Sequence, residues 1–253
     1  MAFTWADKRR TYIIGGAVML GVVLLSGILI AVLYEAPSCM DGRQNQDETG
    51  IDCGGSCLYL CQNEVQAPRL TFARAVTNGS GRTDVIAYIE NRNQAAEAND
   101  APYTVEVFDE VGTLLGKREG RIDLPARSTV ALYVPGVYVG VGAAPRAFVS
   151  FADDTRWRTA RTEEVPLRIT DITLISGELP RVNATVSNVA PSAVYGRTLI
   201  ATVFDSNGVA IAASQTVVRE VPALGSTSAV FTWPEAFTGT AVRVEVTAVP
   251  LLL

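Results

Sequence analysis

The feature that most restricts this chain is a run without charge: from Thr11 to Tyr34 there are 24 consecutive residues with no Asp, Glu, Lys or Arg. As a helix rising about 1.5 Å per residue, such a run is about 36 Å long, enough to cross a hydrocarbon core of about 30 Å. Lys8, Arg9 and Arg10 precede it, whereas Glu35 and Asp41 come before the next basic residue, Arg43. The positive-inside rule therefore predicts a single pass through the cytoplasmic membrane, with residues 1–10 inside and everything after residue 34 outside. Trp5 and Tyr12 at one end and Tyr34 at the other stand where interfacial aromatic belts fall. A cleaved signal peptide is the competing reading. It calls for a shorter apolar region and a small-x-small site, and Tyr34-Glu35-Ala36 puts a bulky side chain where a small one is needed. Ala17 with Gly21, and Gly27 with Ala31, have the spacing of close helix pairs, although such residues suit an ordinary lipid-facing anchor as well.

Composition then removes classes of function. The chain has 253 residues and no histidine, which takes away the usual general base, the usual zinc ligand and imidazole-based triads. Its net charge of −5 offers none of the basic surplus that nucleic-acid binding requires. No enzyme is expected. The carboxylate pairs Asp153-Asp154 and Glu163-Glu164 are adjacent in sequence, so in an extended chain their side chains point to opposite faces. Lys117, Arg118 and Arg121 are the densest basic cluster of the first half, read either as mixed charge on an exposed strand or as a contact for an anionic glycan or phosphate. Asn78-Gly79-Ser80 and Asn183-Ala184-Thr185 fit a glycosylation sequon and equally fit turn and strand residues.

All four cysteines, Cys39, Cys53, Cys57 and Cys61, fall within 23 residues. Outside a membrane, an even number of cysteines in a segment too short to build a core predicts two disulfides, with three pairings open. Structural zinc is the rival, but it favours closely spaced cysteine pairs in two separated halves, often with histidine. The run Asp41-Gly42, Asn45, Glu48-Thr49-Gly50-Ile51-Asp52-Cys53-Gly54-Gly55 resembles a short DCGG-type cysteine motif of bacterial cell-surface proteins. It covers about a tenth of the chain, and the resemblance implies export, not an activity.

The segment 35–65 is also acidic, with six carboxylates against Arg43. Crowded oxygens can bind Ca²⁺, which takes six to eight of them, although the EF-hand pattern fails, with Gln46 where glycine is needed. A bridge from Cys39 to the Cys53 region would bend the loop back and turn Asp41, Asn45, Asp47 and Asp52 toward one centre, with Glu48 in reserve. These are the expected metal ligands and Ca²⁺ the one cofactor considered, against a reading of the segment as a solvated stalk.

Beyond Ala67-Pro68 the chain turns to short Val/Ile/Thr/aromatic runs punctuated by Gly, Pro and Asn, the pattern of strands. It also repeats. Asp84–Asn91 matches Arg181–Asn188, Val107–Gly112 matches Val203–Gly208 and Leu124–Ala126 matches Val221–Ala223, all at an offset of 96 or 97 residues. That is the size of an immunoglobulin-like sandwich. Val182, Ala184 and Val186 alternate with polar neighbours, as do Val242, Val244, Val246 and Ala248, so each such strand should bury one face and wet the other. Phe-Asp-x-x-Gly at Phe108 and Phe204 reads as a hairpin tip. Neither copy contains cysteine, which leaves Trp157 and Trp233 as the large core fillers. The order of Asn after a strand, strand-Phe-Asp-x-x-Gly, then Leu/Val-Pro-Ala before another strand resembles the CARDB and FxLYD groups of Ig-like domains. That resemblance implies extracellular spacers or adhesion modules without catalytic residues.

The expectation is thus an all-β protein: a cytoplasmic tail (1–10), a transmembrane helix (11–34), a Cys-rich acidic segment (35–65), and two tandem Ig-like β-sandwiches (66–160 and 161–253). Its expected role is adhesion or scaffolding at the cell surface, with the membrane and other surface proteins or glycans as partners. The alternative is an accessory subunit of a secretion or pilus apparatus.

Overall fold

The structure, a computed structural model, describes residues 5–33, 38–45, 47–78, 81–140, 146–160 and 167–252. Tyr34, the Gly79-Ser80 part of the first sequon, the Glu163-Glu164 pair and the junction at 160/161 lie wholly or partly outside them. One helix, α1 (Trp5–Leu33), contains the uncharged run as far as Leu33 and takes in Lys8, Arg9 and Arg10 at its start. From Lys8 to Leu33 it is long and apolar enough to span a membrane, and none of that stretch is buried in the molecule. A helix apolar all round and packed against no protein has the composition of a lipid-facing span.

From Arg69 onward the described residues are built of β-strands. The first half contains β1 (Arg69–Thr77), β2 (Arg82–Asn91), β3 (Ala96–Phe108), β4 (Leu114–Leu124), β5 (Ser128–Val139), β6 (Arg146–Phe151) and the short β7 (Arg158–Thr159). The second contains β8 (Arg168–Ile175), β9 (Arg181–Ser187), β10 (Val194–Phe204), β11 (Ala210–Val221), β12 (Ser226–Thr232) and β13 (Arg243–Ala248). All pairings are antiparallel. Sheet β1-β2-β5 faces sheet β4-β3-β6, with β7 on the end of β3, and sheet β8-β9-β12 faces sheet β11-β10-β13. Each half is a sandwich. Val85, Ala87, Val105, Val107, Leu132 and Trp157 fill the first core, and Val182, Val186, Leu199, Val203, Phe231 and Trp233 the second.

The two copies agree in atomic detail. Asn91 and Asn188 are both buried at a strand end. The Asn91 amide donates to the carbonyls of Ala96, Leu124 and Pro125, and the Asn188 amide to those of Ser192 and Val221. Arg127 and Leu224, 97 residues apart, both take the left-handed conformation, with φ of 52° and 51°. At the hairpin tips Asp109 accepts the N–H groups of Val111 and Thr113, and Asp205 those of Asn207 and Val209. These are Asx-type turns, in which a short carboxylate replaces a backbone acceptor.

Strand β9 buries alternate residues as the alternation requires, but β2 and β10 do not wet their second face. A third core of Val76, Ile86, Ala131, Tyr133, Ile200, Phe204, Ala210 and Ala213 joins sheet β1-β2-β5 of the first copy to sheet β11-β10-β13 of the second. The β-structure is therefore a stack of four sheets with three apolar layers between them.

Candidate functional site

The cysteine segment is the part of the molecule that joins helix to sandwich. The bridges are Cys39–Cys57 and Cys53–Cys61. All three glycines of the Thr-Gly-x-Asp-Cys-Gly-Gly run are required by this knot: Gly54, at φ +78°, would put a β-carbon 1.8 Å from the Thr49 hydroxyl oxygen. A β-carbon on Gly50 would lie 2.8 Å from the Cys61 sulfur and 2.9 Å from that of Cys53. One on Gly55, at φ +56°, would lie 2.1 Å from the carbonyl oxygen of Asp47. Glu64 closes the far end, accepting from the Thr49 hydroxyl at 2.8 Å and from the Cys61 N–H at 2.9 Å.

The acidic residues act inside this knot. Asp52 accepts the backbone N–H groups of Asp41 (2.9 Å) and Gly42 (3.0 and 3.1 Å). Asp41 in turn accepts the Asn45 amide at 2.7 Å and the N–H groups of Ser38 and Arg43. The hydrogen bond from Asn45, helped by these backbone donors and by Arg43, holds the Asp41 carboxyl below its ordinary pKa. The structure thus brings Asp41, Asn45 and Asp52 together, whereas Asp47 is turned toward Ser56, whose hydroxyl it accepts at 2.8 Å. Glu48 is buried against the first bridge, 3.2 Å from the Cys57 sulfur, and accepts the Asn45 N–H. Cys39, Glu48 and Cys57 are close enough to suggest a metal-binding trio, but both sulfurs are spent in the disulfide and neither is a thiolate.

The knob is seated on the first sandwich. Leu60 donates its N–H to the Trp157 carbonyl at 2.9 Å, and the Gln62 amide reaches the Thr155 carbonyl at 2.7 Å. Gln66 and Asn93 exchange a pair of hydrogen bonds, each 2.8 Å. Leu60 and Val65 pack against the first core, and the Arg156 guanidinium lies 5.4 Å from the Tyr59 ring centre. The backbone carbonyl of a core tryptophan thus holds the knob in register with the sandwich.

The contact between sandwiches carries its own polar seal. The Tyr88 hydroxyl reaches Thr202 at 3.3 Å and Glu245 at 3.1 Å, and Phe72 and Tyr88 pack around Phe204. The Arg243 guanidinium lies over the Phe204 ring, 4.1 Å from its centre. At its margin Asp84, fully buried, accepts from Nε and Nη2 of Arg82, each at 3.0 Å, and from the Asn78 amide, the Gly136 N–H and the Tyr133 hydroxyl. Beyond it the C-terminal stretch crosses to the first copy, where Leu252 donates to Asp123 and accepts from Asn99.

The remaining candidates are dispersed. Asp153 and Asp154 are exposed in a turn. Lys117 pairs with Glu119 on its own strand, Arg118 donates to the Gly136 carbonyl, and Arg121 donates to the Asp100 carbonyl. Asn78 is committed to Asp84, and Asn183 accepts from Arg181.

Fold and knob together define a class: an all-β, two-sandwich protein with a disulfide-bonded neck behind an apolar helix. Comparison with protein families and with curated proteins finds no match for this chain.

Proposed function

We propose that this chain is a single-pass membrane protein whose two Ig-like sandwiches stand outside the cytoplasmic membrane as a non-catalytic adhesion or scaffolding module. The observation that carries the reading is mechanical continuity. Four residues separate the end of α1 from Ser38, the neck is cross-linked twice, and it is hydrogen-bonded onto a sandwich that is itself fused to the next. Such a chain transmits position and force from the bilayer to the far end of the second copy. The 1-2-5 and 4-3-6 strand orders, repeated in the second copy, support the Ig-like assignment. Lys8, Arg9 and Arg10 before the span support an N-terminus inside. An aromatic pair on the outer face of the first sandwich, Phe108 with Phe148, leaves Phe148 56% exposed and supports a macromolecular partner.

The test is done on intact cells stripped of any outer barrier. Added protease should remove residues 66–253, and a photo-crosslinking residue in place of Phe148 should form adducts with another surface macromolecule. Protection of the sandwiches, or no macromolecular adduct from Phe148, counts against the proposal.

A further inference from the structure

The apolar side chains of the knob fall into two sets. Leu60 and Val65 are turned into the first sandwich. Met40, Ile51 and Leu58 are not: they are 81%, 64% and 41% exposed. The cross-links place these three in neighbouring loops. Met40 and Leu58 each follow one half-cystine of the Cys39–Cys57 bridge, while Met40 and Ile51 each precede one partner of the Asp41–Asp52 hydrogen bond. Three exposed large apolar residues thus stand on loops that the Cys39–Cys57 bridge and the Asp41–Asp52 hydrogen bond tie together.

The covalent chain limits where those loops can be. From Leu33, the last residue of α1, to Ser38 there are five peptide units, which at most about 3.6 Å each reach about 18 Å. Cys39 follows immediately and is bridged to the loop that carries Leu58. A bilayer's interfacial zone is itself about 5–8 Å deep on each side of the hydrocarbon. The knob is therefore tethered within about 18 Å of the end of α1, in reach of the interface of whatever bilayer α1 crosses.

We propose that Met40, Ile51 and Leu58 dip into the interface of the bilayer spanned by α1, making the knob a membrane-resting foot that sets how the sandwiches stand. This rests on the reading of α1 as a membrane span. The partner is zwitterionic lipid, because a segment with six carboxylates against Arg43 is repelled by an anionic surface.

The test uses the full-length chain in nanodiscs of phosphatidylcholine with or without bromine on the acyl chains. In a Trp5→Phe background the remaining tryptophans, Trp157 and Trp233, are buried in the sandwich cores. Adding Ile51→Trp to that background should add emission that is blue-shifted and mostly lost in brominated lipid. Met40→Trp is the second reporter should Ile51→Trp prevent either bridge from forming, which the intact mass before and after reduction reveals. The parent's Trp5 emission reports α1 separately. Quenching of Trp5 without quenching at residue 51 overturns the foot and leaves the span intact; quenching of neither overturns both. A blue shift at residue 51 without bromine quenching means that protein covers that residue, and it also overturns the proposal.

Discussion

A single buried amide recurs in both copies and does the same work, which makes it the sharpest residue-level test of the duplication. Asn91 and Asn188 each hold together a strand end and the Pro-containing turn 33 or more residues on. Replacing either by Ala leaves buried carbonyls without a donor, so each should cost about 1–3 kcal/mol in denaturant unfolding, with Asn91 the costlier because it satisfies more acceptors. Near the join, burial and then the hydrogen bond to Asp84 push the Tyr133 hydroxyl well above its ordinary pKa. A group whose folded pKa is raised contributes stability that is complete below the unfolded value, near 10, and lost as pH rises through the folded one. Stability should therefore fall above about pH 10, and Tyr133→Phe should flatten that fall; equal alkaline slopes for the two proteins would contradict the assignment. Asp41 has the opposite sign: its lowered pKa stabilises the neck above the ordinary carboxyl range and is lost as pH drops through the folded value. The twin asparagines and the Phe-Asp-x-x-Gly tips were legible in the sequence because their hydrogen bonds close within one turn or between matched repeat positions. The acidic residues of the neck were less so. Which cysteine Cys39 joins bears on where Asp47 ends up, and spacing alone leaves three pairings open.

Among the elements, β2 and its counterpart β9 show what periodicity can and cannot say. Val85, Ala87 and Ile89 match Val182, Ala184 and Val186 on the inner face, and both sets fill a core. On the outer face Ile86 and Tyr88 of β2 stand where β9 has Asn183 and Thr185. Reading the copies position against position, this difference is the signal that one outer face is covered and the other wet. Reading either strand alone, an apolar residue on the outer face looks like noise in an alternation. The neck is an element of another kind, too small for a core of its own apart from its bridges. A closed loop of about 15 residues is worth about 3 kcal/mol when a disulfide fixes it, and the Cys39–Cys57 bridge spans 18. Reduction should add four protons by mass and raise amide exchange across 39–64 by orders of magnitude. Strands β8 to β13 should keep their protection, since no bridge touches the second sandwich; loss of protection there on reduction would mean that the neck holds the whole fold.

At the scale of the molecule, the join between copies is head-to-tail: the β1-β2-β5 face of the first meets the β11-β10-β13 face of the second, and these are not equivalent surfaces. Contacts of that type propagate unless their free ends differ from the joined ones. Here they do. Ile200, Thr202 and Ala213 on the joined face correspond to Thr104, Glu106 and Lys117 on the free face of the first copy. Ile86, Tyr88 and Ala131 correspond to Asn183, Thr185 and Ser228 on the free face of the second. Polar and charged side chains at these positions cap the stack at two sandwiches, as terminal repeats cap a solenoid, with the exposed Phe148 beside Glu106 a large apolar exception on the free face of the first copy. It follows that the copies are not independent beads on a linker. With residues 161–166 replaced by a protease site and the full chain held in detergent, cleavage should leave the two pieces co-eluting from a sizing column, held by the third apolar layer and the Tyr88 hydrogen bonds. Phe204→Ala removes the buried ring on which Phe72, Tyr88 and Arg243 close, and such a truncation costs about 3–5 kcal/mol. The cleaved variant should then separate, and the uncleaved variant should unfold in two thermal transitions where the parent shows one. Cleaved parent pieces that elute apart, with each still β-folded by circular dichroism, would reduce the third layer to a passing contact and return the molecule to two sandwiches on a string.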